Sequence, residues 1–206
     1  MPVLDELTLK NRALRRVGAS ALGAVDEDTT RAEQVEAIWQ DVVETCLSLH
    51  EWSFGKKTYA LALRVAPPEN GWLYGYDYPG GVLGGPQAVL RSITREEDIL
   101  REFTIEENIL FANVGAVWAT FRTTVAIGIW PPEFRLAVIT AVASHLAVPV
   151  AGDEKLAKSL GIQAFGQDEE GMRGGLIGSA IALDRAKRPL GSPLLRSDPL
   201  TQARYA

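Results

Sequence analysis

Apolar residues recur at helical spacing towards both ends of the chain and at strand spacing in its middle. Between Asp5 and Ala19, Leu7, Leu14 and Val17 fall on one side, with Lys10, Arg12, Arg15 and Arg16 largely opposite, which predicts an amphipathic surface helix over 5–19. Glycines 18 and 23 then loosen the chain. A second helix is expected over 30–50. Thr30-Arg31-Ala32-Glu33 has the form in which a hydroxyl and a carboxylate satisfy free backbone amides reciprocally. Val35, Ile38, Trp39, Val42, Cys46 and Leu49 follow at steps of three and four as a buried stripe.

The period changes after Glu51-Trp52-Ser53-Phe54. Short runs over 58–65, 72–78, 89–94, 103–105, 109–111 and 117–125 read as antiparallel strands, so a strand-rich insertion is expected over 57–127. Pro67-Pro68, Asn70-Gly71, Pro79-Gly80-Gly81 and Gly84-Gly85-Pro86 separate them, because proline removes a donor and glycine supplies positive φ. Helix returns at Trp130-Pro131-Pro132-Glu133-Phe134, where proline suits the first turn and Glu133 the positive end of the dipole. Residues 134–148 are apolar nearly all round, so a helix over 132–150, ended by Pro149 and Gly152, should be buried on several sides. Helical sequence continues over 153–187 as two helices, one to Phe165 and one from about 167–170, with Gly161 and Gly166 breaking or kinking the chain between them.

The fold class expected is α+β: one domain over 1–188, mainly a helical bundle with an inserted antiparallel strand-rich region, followed by an extended C-terminal arm over 189–206. The arm holds Pro189, Gly191, Pro193 and Pro199 and has no period, so it should not fold by itself. From Arg185 onward Arg185, Lys187, Arg188, Arg196 and Arg204 stand against Asp198 alone, a sign reversal in an acidic chain. A frayed terminus is the plain reading. That reversal favours an arm that orders on a partner, with Leu190, Leu194, Leu195, Leu200 and Tyr205 as apolar anchors and arginines seeking carboxylates.

The 206 residues, 47% hydrophobic and 23% charged, suit one domain with a real core, and a net charge of -5 argues against a dominant nucleic-acid surface. Cys46 stands alone on an apolar helix face, which excludes an intramolecular disulfide and predicts a buried small hydrophobe. With no apolar signal core near the N-terminus and no run approaching ~18 apolar residues, synthesis in the cytoplasm and no membrane contact are expected.

No catalytic or metal-binding constellation emerges, and no cofactor is expected. His50 and His145 are the only histidines and neither lies in a metal or hydrolase pattern; His145, inside the most apolar helix, reads as a hydrogen-bonded core residue. Glu106-Glu107 and Glu96-Glu97-Asp98 read as solvated turns, since neighbours on a strand point to opposite faces. Gly171, Gly174, Gly175 and Gly178 lack the Gly-Lys-Ser/Thr ending of a phosphate loop. Gly171, Gly175, Gly178, Ser179 and Ala182 instead mark a helix face open to close approach, within the chain or between subunits. Trp72, Tyr74, Tyr76 and Tyr78 alternate along one strand face, as a cross-strand aromatic cluster or a subunit contact rather than a base-stacking platform.

Helices first and last around a strand-rich middle, Trp52-Ser53-Phe54 closing the second helix, and a Trp/Tyr-rich approach to Pro79 resemble the phage head-to-tail adaptor family, also called tail tubular protein A, and the similar adaptors of gene transfer agents. Leu14-Arg15-Arg16-Val17-Gly18 resembles the family's opening, Ala60-Leu61-Ala62-Leu63 its passage into strand, and Tyr76-Asp77-Tyr78-Pro79 before Leu90-Arg91, then Trp118 to Phe121 before Pro132-Glu133-Phe134, complete the order. The likeness covers most of residues 10–165 and rests on packing residues; the glycine-rich 80–86 departs from it. The resemblance implies a non-enzymatic virion protein, assembled in the host cytoplasm as a ring of about twelve copies. Such a ring docks on the portal, extends the DNA channel with DNA only passing through the lumen, and carries tail, nozzle or stopper proteins. Portal contact would fall on Arg188, Leu190, Leu194, Leu195, Arg196, Leu200, Arg204 and Tyr205, and subunit or tail contact on Trp72, Tyr74, Tyr76, Tyr78, Gly171, Gly175 and Gly178. A capsid head-completion or decoration protein, or a small-ligand or nucleic-acid-binding accessory domain, are the alternatives.

Overall fold

The computed structural model describes residues 5–24, 30–93 and 99–187. Helices α1 (Glu6–Arg16) and α2 (Thr30–Ser48) precede seven short strands, and α3 (Pro132–Ala151), α4 (Glu154–Phe165) and α5 (Gly175–Ala186) follow them. Helix outweighs strand by 48% to 17%, so the helices form the body and the strands a lobe inserted into it. This is the α+β arrangement expected from the sequence.

The body is built around α3, which packs against each of the other four helices. Eleven residues of α3 from Phe134 to Ala147 are buried. By length and composition α3 is also apolar enough to cross a membrane, with a mean hydropathy of 1.7, so the expectation that no segment reaches that length is corrected. Its apolar surface is covered by α1, α2, α4 and α5, as befits the central helix of a bundle. His145 is a second correction. It is exposed, because with Val148 and Pro149 it falls on a stripe at the C-terminal end of α3 that is not covered. Pro149 does not end the helix. The backbone bond it forfeits is to the His145 carbonyl, on this same wet stripe, and the helix runs on to Gly152, whose left-handed φ of 66° closes it.

Asp5 and Asp153 cap α1 and α4, accepting from Thr8 N at 2.8 Å and Leu156 N at 2.9 Å. The Thr8 hydrogen bonds hold the Asp5 carboxyl below its usual range. On α1 the expected polar face is wrong at one position. Lys10 is buried, its ammonium held by Glu36, by Glu6 at 2.5 Å and over the Trp39 ring at 5.6 Å. Its four-carbon stem lies with Leu9, Ala13 and Leu14 while two carboxylates compensate the charge. The same contact lowers the Glu36 pKa. On α2 the expected stripe is present: Val35, Trp39, Val42 and Cys46 are buried and Ile38 and Leu49 pack against the core. Burial pushes the Cys46 thiol up to about 12, which leaves it protonated and unreactive.

The strands form two antiparallel sheets. One has β1 (Lys56–Ala60), β7 (Trp118–Arg122) and β4 (Ala88–Leu90) in that order, with Lys56 opposite Arg122 and Ala88 opposite Thr120. The other runs β2 (Ala62–Leu63), β3 (Tyr74–Asp77), β6 (Ile109–Ala112), β5 (Phe103–Glu106). The single run expected over 58–65 is thus split at Leu61. That residue is buried and bonds back to Val117 O at 2.9 Å, where the chain leaves one sheet for the other. Glu107 and Asn108, at φ 48° and 62°, make the two-residue turn between β5 and β6. Tyr76, Val89, Leu110, Ala119 and Phe121 form a core for the lobe, separate from that of the helices.

The passage from α4 to α5 is longer than expected. Gly161 stays helical with open space beside it, and Gly166, at φ 84°, ends α4. A short turn over Asp168–Glu170 intervenes, so α5 starts at Gly175 rather than at 167–170. The Glu170 carboxylate accepts from Gln167 N at 2.7 Å, and Gly174 N bonds to Phe165 O at 2.9 Å, which folds the turn back onto α4.

Candidate interaction surfaces

The junction after α2 fixes how lobe and body meet. Trp52 donates from Nε1 to Cys46 O at 2.9 Å and lies edge-on to Phe134, with ring centroids 4.7 Å apart. Phe54 and Trp130 complete the cluster against Phe134 at 5.1 and 5.2 Å. Between the aromatic residues, Ser53 reaches Asp184 of α5. Asp184 is 2% exposed and accepts from Ser53 N at Oδ2 (3.0 Å) and from Ser53 Oγ at Oδ1 (2.5 Å), with His50 Nε2 3.4 Å from Oδ2. Serine, histidine and aspartate meet here without forming a nucleophile. The hydroxyl donates to the carboxylate, whereas activation requires it to face an imidazole that the carboxylate orients. The set is a clamp that ties α5 to the start of the lobe.

Beside the clamp opens a polar cleft of about 570 Å³ between the end of α2, the 85–87 segment, β7 and α5. Arg122, Arg173 and Arg185 line it, with His50, Glu51 and Gln87. Arg122 Nη1 donates to Ser48 O at 2.6 Å, while its buried Nε has no partner among the described residues. Both polar atoms of the Gln87 side chain are likewise buried without a partner there. The sequence drew attention to His50, Glu51 and Arg185 for other reasons, and did not bring them together with Arg122, Arg173 and Gln87. Asp184 offered a signal: it follows Ile177, Ala180 and Ile181 on the apolar stripe of α5, and a carboxylate on such a stripe requires donors. Arg122 and Gln87 gave none, since only the pairing of β4 with β7 brings them to one place.

The sequence-predicted contacts divide into three groups. Arg188, Leu190, Leu194, Leu195, Arg196, Leu200, Arg204 and Tyr205 lie outside the described residues. Of the aromatic residues, Tyr74 and Tyr76 sit on β3, with Trp72 and Tyr78 just beyond its ends. Tyr76 is 1% exposed and donates to the Val114 carbonyl, so it belongs to the lobe's core, and Tyr74 and Tyr78 pack against that core. Burial raises the pKa of both Tyr76 and Tyr78. Exposed apolar surface lies elsewhere on the lobe, at Leu63, Val65, Leu73, Ile93, Ile99 and Ile105. The small-residue face is used largely within the chain. A Cβ at Gly175 would stand 2.6 Å from Gln163 O, one at Gly178 2.5 Å from Arg173 O, and only Gly171 has open space.

Among the described residues no group of three or more His, Cys, Asp or Glu is placed to hold a metal ion. No protein-family model matches this chain, and no curated protein matches it either.

Proposed function

We propose that this chain is a head-to-tail adaptor of a tailed phage or gene transfer agent: a structural ring protein that docks on the portal, extends the DNA channel and carries the tail proteins. The observation that carries the reading is the order of parts. Two helices, a Trp52-Ser53-Phe54 passage, an inserted strand lobe and a buried helix opening on Pro132-Glu133-Phe134 follow one another as in that family. Separate hydrophobic clusters support it, because a body that keeps its own core leaves the lobe free to serve as a contact module in a cyclic, heterologous interface. Arg188, Leu190, Leu194, Leu195, Arg196, Leu200, Arg204 and Tyr205 are assigned to the portal. Removal of residues 190–206 is expected to abolish binding to the portal while the circular dichroism spectrum and melting temperature stay unchanged. Portal binding that survives the truncation would remove that assignment.

A further inference from the structure

We infer that the cleft walled by Arg122, Arg173 and Arg185 is a docking site for an extended acidic peptide segment of a partner protein. Arg173 and Arg185 are exposed, and their guanidinium groups have no ion pair or hydrogen bond among the described residues. Arg122 is anchored by the Ser48 carbonyl and keeps a buried Nε–H unpaired. Three planar guanidinium groups around one cleft match carboxylates, which they bind bidentately.

Gln87 favours a peptide over a phosphodiester backbone. Its buried amide has a donor and an acceptor that are both without a partner among the described residues. An extended peptide backbone offers C=O and N–H side by side and satisfies both, whereas a phosphodiester offers acceptors only. The chain's own arm has the wrong sign, with Arg188, Arg196 and Arg204 against Asp198. A partner segment rich in Asp and Glu suits both the guanidinium groups and the Gln87 amide, and the cleft serves such a partner whether or not it is a portal.

The full chain, titrated calorimetrically with acetylated hexaglutamate amide, should bind it saturably, and binding should weaken as salt is raised. Joint replacement Arg173→Gln and Arg185→Gln should weaken binding roughly tenfold or more with an unchanged near-ultraviolet spectrum. Gln87→Leu should also weaken binding yet raise the melting temperature, because an unpaired buried amide is removed. Absence of hexaglutamate binding to the unmodified chain, or binding indifferent to the arginine replacements, would overturn the proposal. Tighter binding of hexathymidylate, lost with the same arginines, would overturn it in favour of nucleic acid.

Discussion

Asp184 ties α5 to the segment that follows α2, and its removal has a readable cost. Asp184→Ala leaves the Ser53 amide and hydroxyl without their acceptor in a buried place, which should destabilise the protein by about 2–4 kcal/mol in urea unfolding. Asp184→Asn keeps an acceptor oxygen, loses the charge and should fall between the two; a loss below about 1 kcal/mol for the alanine variant would contradict the clamp. At this scale the sequence was legible where a residue's neighbours on its own helix decide its fate. Cys46 is buried as its spacing from Val42 and Leu49 indicates. Lys10 and His145 depart from expectation for the same reason in opposite directions. Lys10 falls on the polar side of its own helix and His145 among apolar neighbours, but the packing of the other helices decides, bringing Glu36 and Trp39 of α2 over Lys10 and leaving His145 uncovered.

Two glycines, Gly161 within α4 and Gly175 at the start of α5, differ in what surrounds them. Gly161 is helical with nothing within 4 Å of where a Cβ would stand, so Gly161→Ala should stabilise by about 0.5–1 kcal/mol. Gly175 has a φ of 55°, and a Cβ there would stand 2.6 Å from Gln163 O and 2.8 Å from Gly166 N. Gly175→Ala should therefore cost about 2–4 kcal/mol, and thermal melts of the two variants, moving in opposite directions, check the pair. Similar melting temperatures would mean the turn over 166–174 packs differently. The elements themselves were largely readable, since the change from period 3.6 to period 2 after Phe54 and back at Pro132 is strong. The extent of that turn was not. It depends on Glu170 reaching back to Gln167 and on Gly174 bonding to Phe165, and neither contact leaves a periodic trace. The split of the 58–65 run at Leu61 is equally a matter of which sheet each half joins.

At the scale of the whole molecule, a helical body and a strand lobe with separate cores are joined through the Trp52, Phe54 and Phe134 cluster. The arginine cleft lies at that joint, assembled from four parts of the chain, which is why no motif announced it. The portal residues proposed for the arm were legible only as composition: an aperiodic stretch whose charge is opposite to that of the chain. The adaptor reading is tested most directly by sedimentation of the intact chain mixed with an assembled portal from the same source. A stoichiometric shift of the chain onto the portal ring is the predicted result. An assembled portal that sediments unchanged while the chain remains free would contradict the adaptor assignment.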